Sequence, residues 1–169
     1  LLASREKYDN EDIEYGKELV KIADLQINIG QYEKSEENIE NAIKIIDDSK
    51  IDGSRTSLAS AFITKAKLSA IQGEYDEAED LIYSSDNLRA SGMLTTESTN
   101  LSYEDDLGGL YLIIGRYSDA QSILTESLKE KTNQFGNTSR HLNMPLVLNA
   151  RFNLIKGDCT KAEQLARRA

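Results

Sequence analysis

Apolar residues along this chain recur at three- and four-residue spacing and nowhere alternate as a half-buried strand would, so the pattern predicts helices throughout. The apolar stretches also stop and restart. "GGLYLIIGRYSDAQSIL", from Gly108 to Leu124, runs with helical periodicity to Gly115, breaks, and resumes with the same period. A glycine inside a helix costs about 1 kcal/mol relative to alanine, and it is the usual residue for ending one. Placing a break at each such glycine predicts helices near 11–29, 32–49, 55–72, 75–89, 97–114, 117–133, 139–156 and 159–169. The segments "SKIDGSR", "RASGMLTT" and "TNQFGNTS" supply linkers rich in turn residues.

The break recurs at Gly30, Gly73, Gly115 and Gly157, at separations of 43, 42 and 42 residues. Counted from each glycine, equivalent positions carry equivalent side chains. Seven residues before it stand Ala23, Ala66, Gly108 and Ala150, all small, and five before it Leu25, Leu68, Leu110 and Phe152. Two residues after it come Tyr32, Tyr75 and Tyr117, then Cys159. Five after it come Ser35, Ala78, Ala120 and Ala162. Each unit is therefore a helix, a tight turn at a glycine of positive φ, and a second helix. The small columns let the helices approach closely, the tyrosine is expected to pack over the turn, and one such pair cannot bury its apolar face alone.

In these columns the sequence resembles the tetratricopeptide repeat (TPR) family, whose pattern is small residues in the first helix, Gly-x-Tyr at the turn and Ala in the second helix. The resemblance extends over the whole chain. The period of ~42 residues is similar to the long form found in kinesin light chains and in many bacterial repeat proteins, in place of the common 34. Several positions depart from the pattern: tryptophan is absent, Lys65 and Asn149 occupy an otherwise apolar column, and Cys159 replaces the turn tyrosine. The resemblance implies an all-α, right-handed solenoid of antiparallel helix pairs. In that reading 1–10 is the end of a preceding repeat, and 11–53, 54–96, 97–138 and an incomplete 139–169 are four repeats of a single array. Both ends then read as truncations whose apolar faces invite end-to-end pairing of two chains.

Composition narrows the function. The formal net charge of −9 is unevenly spread: residues 1–50, 51–115 and 116–169 carry −6, −7 and +4. An acidic chain is a poor match for nucleic-acid phosphates. No uncharged apolar run reaches transmembrane length, which argues against membrane insertion. A lone cysteine fits a reducing, cytoplasmic setting and excludes an internal disulfide. Chemistry-bearing residues are sparse: His141 and Cys159 fall at opposite ends of one repeat's first helix, too far apart for a nucleophile and its base. The acidic clusters Asp47-Asp48 and Glu104-Asp105-Asp106 point in divergent directions, and no glycine-rich phosphate loop is present. The sequence thus offers no catalytic, cofactor or metal site.

A solenoid offers instead a concave face lined by the first helix of each pair. Residues on the stripe opposite the small column are Asp24 and Ile27 in the first repeat; Ile63, Lys67 and Ile71 in the second; Asp105, Leu112 and Ile113 in the third; and Val147, Arg151, Leu154 and Ile155 in the fourth. An apolar floor with a few charges suits a peptide or partner helix, while the same residues can equally be core between neighbouring pairs. The groups that grip a C-terminal carboxylate in some TPR proteins are missing, since Val20, Asp24, Thr64, Ser102 and Asp106 hold those places. The sequence therefore predicts a non-catalytic protein-interaction scaffold. The other readings it leaves open are a structural spacer or self-assembling array, and the sensor arm of a bacterial multidomain enzyme such as a caspase-like peptidase or a kinase.

Overall fold

The computed structural model describes residues 2–49, 54–91 and 100–169. Among them the chain is all-α: α1 (Leu2–Asn28), α2 (Tyr32–Asp48), α3 (Ser54–Gln72), α4 (Tyr75–Ser91), α5 (Asn100–Ile113), α6 (Tyr117–Phe135), α7 (Asn143–Ile155) and α8 (Cys159–Arg168), with a 3-10 turn at Arg140–Leu142 before α7. The described residues contain no strand.

The four glycine turns are built alike. Gly30, Gly73, Gly115 and Gly157 have φ of 79°, 89°, 82° and 81°, the left-handed region in which a glycine ends a helix without steric penalty. The residue after each glycine closes the first helix by donating its N–H five residues back: Gln31 to Gln26, Glu74 to Ser69, Arg116 to Tyr111 and Asp158 to Asn153, all at 2.8–2.9 Å. Its own carbonyl then accepts the opening hydrogen bond of the next helix, from Ser35, Ala78, Ala120 and Ala162. Asp158 additionally caps α8 with its carboxylate, which accepts from the Lys161 N–H at 3.0 Å. The tyrosines are less enclosed than expected. Tyr32 is half-buried, but Tyr75 and Tyr117 are exposed, because the glycine turn is closed by backbone bonds and needs no ring above it.

Contacts divide the chain into two compact units, Leu1–Thr96 and Glu97–Ala169. In the first, α1 pairs with α2 and α3 with α4, and α3 packs on both α1 and α2. In the second, α5 pairs with α6 and α7 with α8, and α7 packs on both α5 and α6. Small columns allow this approach. Ala23 and Ala66 are fully buried, and an added Cβ on Gly108 would lie 2.5 Å from the Leu124 side chain. Ser35 occupies a small column with its hydroxyl donated to the Ala23 carbonyl at 3.0 Å, so burial leaves no polar atom unpaired. A second small column, twelve residues after the glycine, holds Ala42, Ser85 and Ser127, all fully buried.

The core of the first unit is two clusters, Leu19, Ala42, Ile46, Leu58 and Ala61, and Ala23, Ile27, Ile39 and Leu68. In the second unit Leu110, Leu124, Leu142 and Leu146 are almost completely buried.

Three boundaries differ from expectation. α1 is continuous from Leu2 and so starts ahead of the expected position near 11; residues 2–15 contain neither glycine nor proline to break it. α6 runs on to Phe135, through the first half of an expected linker, and stops where Gly136 takes φ 81° and bonds back to Thr132. The seventh helix opens with a 3-10 turn, and Pro145 sits in the first turn of α7, where no helical hydrogen bond is lost. Most of "RASGMLTT" and the centre of "SKIDGSR" lie outside the described residues.

Candidate functional site

The twelve stripe residues of the first helices separate by burial. Ile27, Ile63, Asp105 and Leu112 are buried, whereas Ile71, Val147, Arg151, Leu154 and Ile155 are exposed, and Asp24, Lys67 and Ile113 lie between. Ile27, Ile63 and Leu112 are therefore core and not groove. A helix held between its own partner and a neighbouring pair buries a wide arc, and the positions three and ten residues before the turn fall within it.

The stripe's charges are largely spent within the chain. Lys67 on α3 donates to Asp24 on α1 at 2.6 Å and to Asn28 at 3.0 Å, joining equivalent positions of adjacent pairs. Asp105 was expected in the groove, but it is a buried member of an ion pair. Lys131 of α6 lies 2.5 Å from one of its oxygens and the Ser127 hydroxyl donates to the other at 2.7 Å, with the Lys131 and Asp105 side chains 4% and 5% exposed. Only paired and hydrogen-bonded charges survive such burial. Lys131 and Ser127 escape a stripe-based reading because they lie on the second helix, 26 and 22 residues along the chain from Asp105. Arg151 makes no ion pair among the described residues and stands exposed on α7.

The two departures in the apolar column are resolved locally. Lys65 lies within 4.0 Å of both Glu40 and Glu77. Asn149 is buried and donates to the carbonyls of Leu124 and Pro145 at 2.9 and 2.8 Å.

His141 stacks on Phe135, ring centroids 4.3 Å apart, and Cys159 is an exposed free thiol at the start of α8. Among the described residues no three His, Cys, Asp or Glu side chains are grouped to hold a metal, and no helix is long and apolar enough to cross a membrane. Ionisation is perturbed in exposed one-turn pairs: the Lys17 hydrogen bond lowers the Glu14 carboxyl, and hydrogen bonds to Glu18 and Glu126 raise Lys21 and Lys129. These are solvated surface pairs. An open cleft of about 330 Å³ lies between α1 and α2, lined by Tyr15, Leu19, Asn41, Lys44, Ile45 and Asp48.

One recurring surface feature is a column of first-helix residues two places before each turn glycine. Ile71 and Ile155 are exposed and Ile113 is half-buried, with Asn28 at the same place on α1. Beside it, four residues earlier, run Asp24, Lys67, Gly109 and Arg151. The first unit thus presents Ile71 next to Asp24 and Lys67, and the second presents Ile113 and Ile155 next to Arg151. The chain matches no protein-family model and no curated protein.

Proposed function

We propose that this chain is a TPR-like, right-handed solenoid that binds a peptide or partner segment and performs no chemistry of its own. The observation that carries the reading is the surface isoleucine column. Ile71 and Ile155 occupy the same place in their repeats and stay exposed, with Ala70 buried one place before Ile71 and Leu154 adding a further exposed apolar side chain one place before Ile155. Isolated exposed apolar residues are ordinary, but recurrence at one register position beside charged groups is what a segment-binding face requires. The four equal glycine turns and the packing of α3 and α7 on the preceding pairs support the repeat architecture.

Selection from a displayed random-peptide library tests the proposal. Enriched peptides are expected to bind at least about tenfold more weakly to Ile71→Asn, since covering one isoleucine contributes roughly 1.5–3 kcal/mol. Ile113→Asn is the second variant, and circular dichroism must show each folded. Enrichment of nothing, or binding by both folded variants as tight as that of the unaltered chain, removes the support for this face.

A further inference from the structure

The geometry points to a second copy of this chain as the occupant of two exposed apolar faces, one on α1 and one on α7, which dock head to tail. The two faces are opposite halves of one interface that the chain already makes internally. Where α3 packs on the pair α1–α2, Leu68 joins Ala23, Ile27 and Ile39 in one cluster, so the residue five before the turn glycine of the following helix meets the residue three before it on the preceding helix. Leu58 of α3 lies in a cluster that Val20 of α1 and Phe62 of α3 pack against. Lys67 pairs with Asp24.

Each half of this interface is buried except at one place. The residue five before the glycine is 2% exposed at Leu68 and 5% at Phe152, but 63% at Leu25 on α1. Tyr15 and Ile22 share that exposed face. The residue three before the glycine is 3% exposed at Ile27 and 4% at Leu112, but 58% at Leu154 on α7, where Met144 and Val147 are exposed as well. Transferring the internal register to two copies sets Leu25 on Leu154 and Tyr15 on Val147. It also sets Asp24 opposite Arg151.

The last pairing is the charge complementarity that selects this occupant. Internally the preceding helix supplies the acid and the following helix the base, Asp24 and Lys67. On α7 the residue at this register is a base, Arg151, which an acid at the same register complements; α1 carries one as Asp24, whose side chain stays 45% exposed while Lys67 occupies one of its oxygens. The wider charge agrees, because residues 1–50 sum to −6 and 116–169 to +4. A face that differs from its mate makes a heterologous contact, so copies can add in series.

Sedimentation velocity from micromolar to millimolar concentration tests this with Leu25→Glu and Leu154→Glu, both at exposed positions and so expected to fold. The unaltered chain should gain mass with concentration beyond that of a dimer. Each variant alone should stay monomeric, having lost one face. An equimolar mixture should form a one-to-one dimer and nothing larger, because each supplies the face the other lacks. A chain that stays monomeric throughout overturns the proposal and leaves these faces to other partners. A variant that still associates alone, or a mixture that does not pair, overturns it equally.

Discussion

At the scale of single residues, the same amino acid serves opposed ends. Gly108 and Gly115 lie seven residues apart, yet one is required for space and the other for backbone conformation. A Cβ on Gly108 would sit 2.5–2.6 Å from two atoms of Leu124, itself fully buried, and 3.1 Å from Ile123. Gly108→Ala should therefore destabilise by about 1–3 kcal/mol through overpacking, although alanine is the better helix former by about 1 kcal/mol. At Gly115 nothing lies within 4 Å of the added atom, but φ is +82°. Gly115→Ala should cost about 1–2 kcal/mol as backbone strain alone. Urea denaturation of both variants checks the pair, and a second change, Leu124→Ala, should relieve the clash at Gly108 and leave Gly115→Ala no better.

At the scale of helices, the buried Asp105–Lys131–Ser127 group ties α5 to α6. Removing one partner leaves an uncompensated buried charge, so Lys131→Ala is expected to cost about 3–5 kcal/mol, read from the urea midpoint. Replacing both charges, Asp105→Leu with Lys131→Met, should recover most of that loss. This group also marks where sequence reading stops. The turns, the pairing of helices and the small columns were legible because each rests on one residue's local physics, repeated four times. Which apolar side of α1, α3, α5 and α7 is core was not legible. Ile27 and Ile71 belong to the same stripe, but only a packed neighbour distinguishes the buried one from the exposed one. Asp105 read as groove because its partner lies on another helix. The long α1 was missed because "KYDNED" looks like a linker in composition, although every residue in it tolerates a helix. The second small column, at Ala42, Ser85 and Ser127, was visible in the sequence, and its signal was the same as that of the first.

At the scale of the whole molecule, stability in such an assembly is a sum of pair and neighbour terms, so damage stays local. Hydrogen exchange in Lys131→Ala should quicken in α5–α8 and remain unchanged in α1–α2. A uniform rise over the chain would show a single cooperative unit instead. The glycine turns also decide where this chain can change in length. One residue closes one helix and opens the next, so an inserted residue there breaks both bonds and rotates the second helix by about 100° relative to the first, carrying Ala120 or Ala162 off the packed face. The opposite end of a pair has no such double duty. Between α6 and α7, Gly136 ends one helix and Ser139 caps the 3-10 turn, which leaves the backbone of Asn137 and Thr138 only to bridge, and lengthening the loop there costs little more than closure entropy, about 0.6 kcal/mol per doubling. The one extra residue in the 43-residue interval falls on that side too, since Ile46 and Leu58 on either side of it keep their register and share one cluster. An epitope or fluorescent reporter therefore belongs between Asn137 and Thr138, and the glycine side of every hairpin is closed to it.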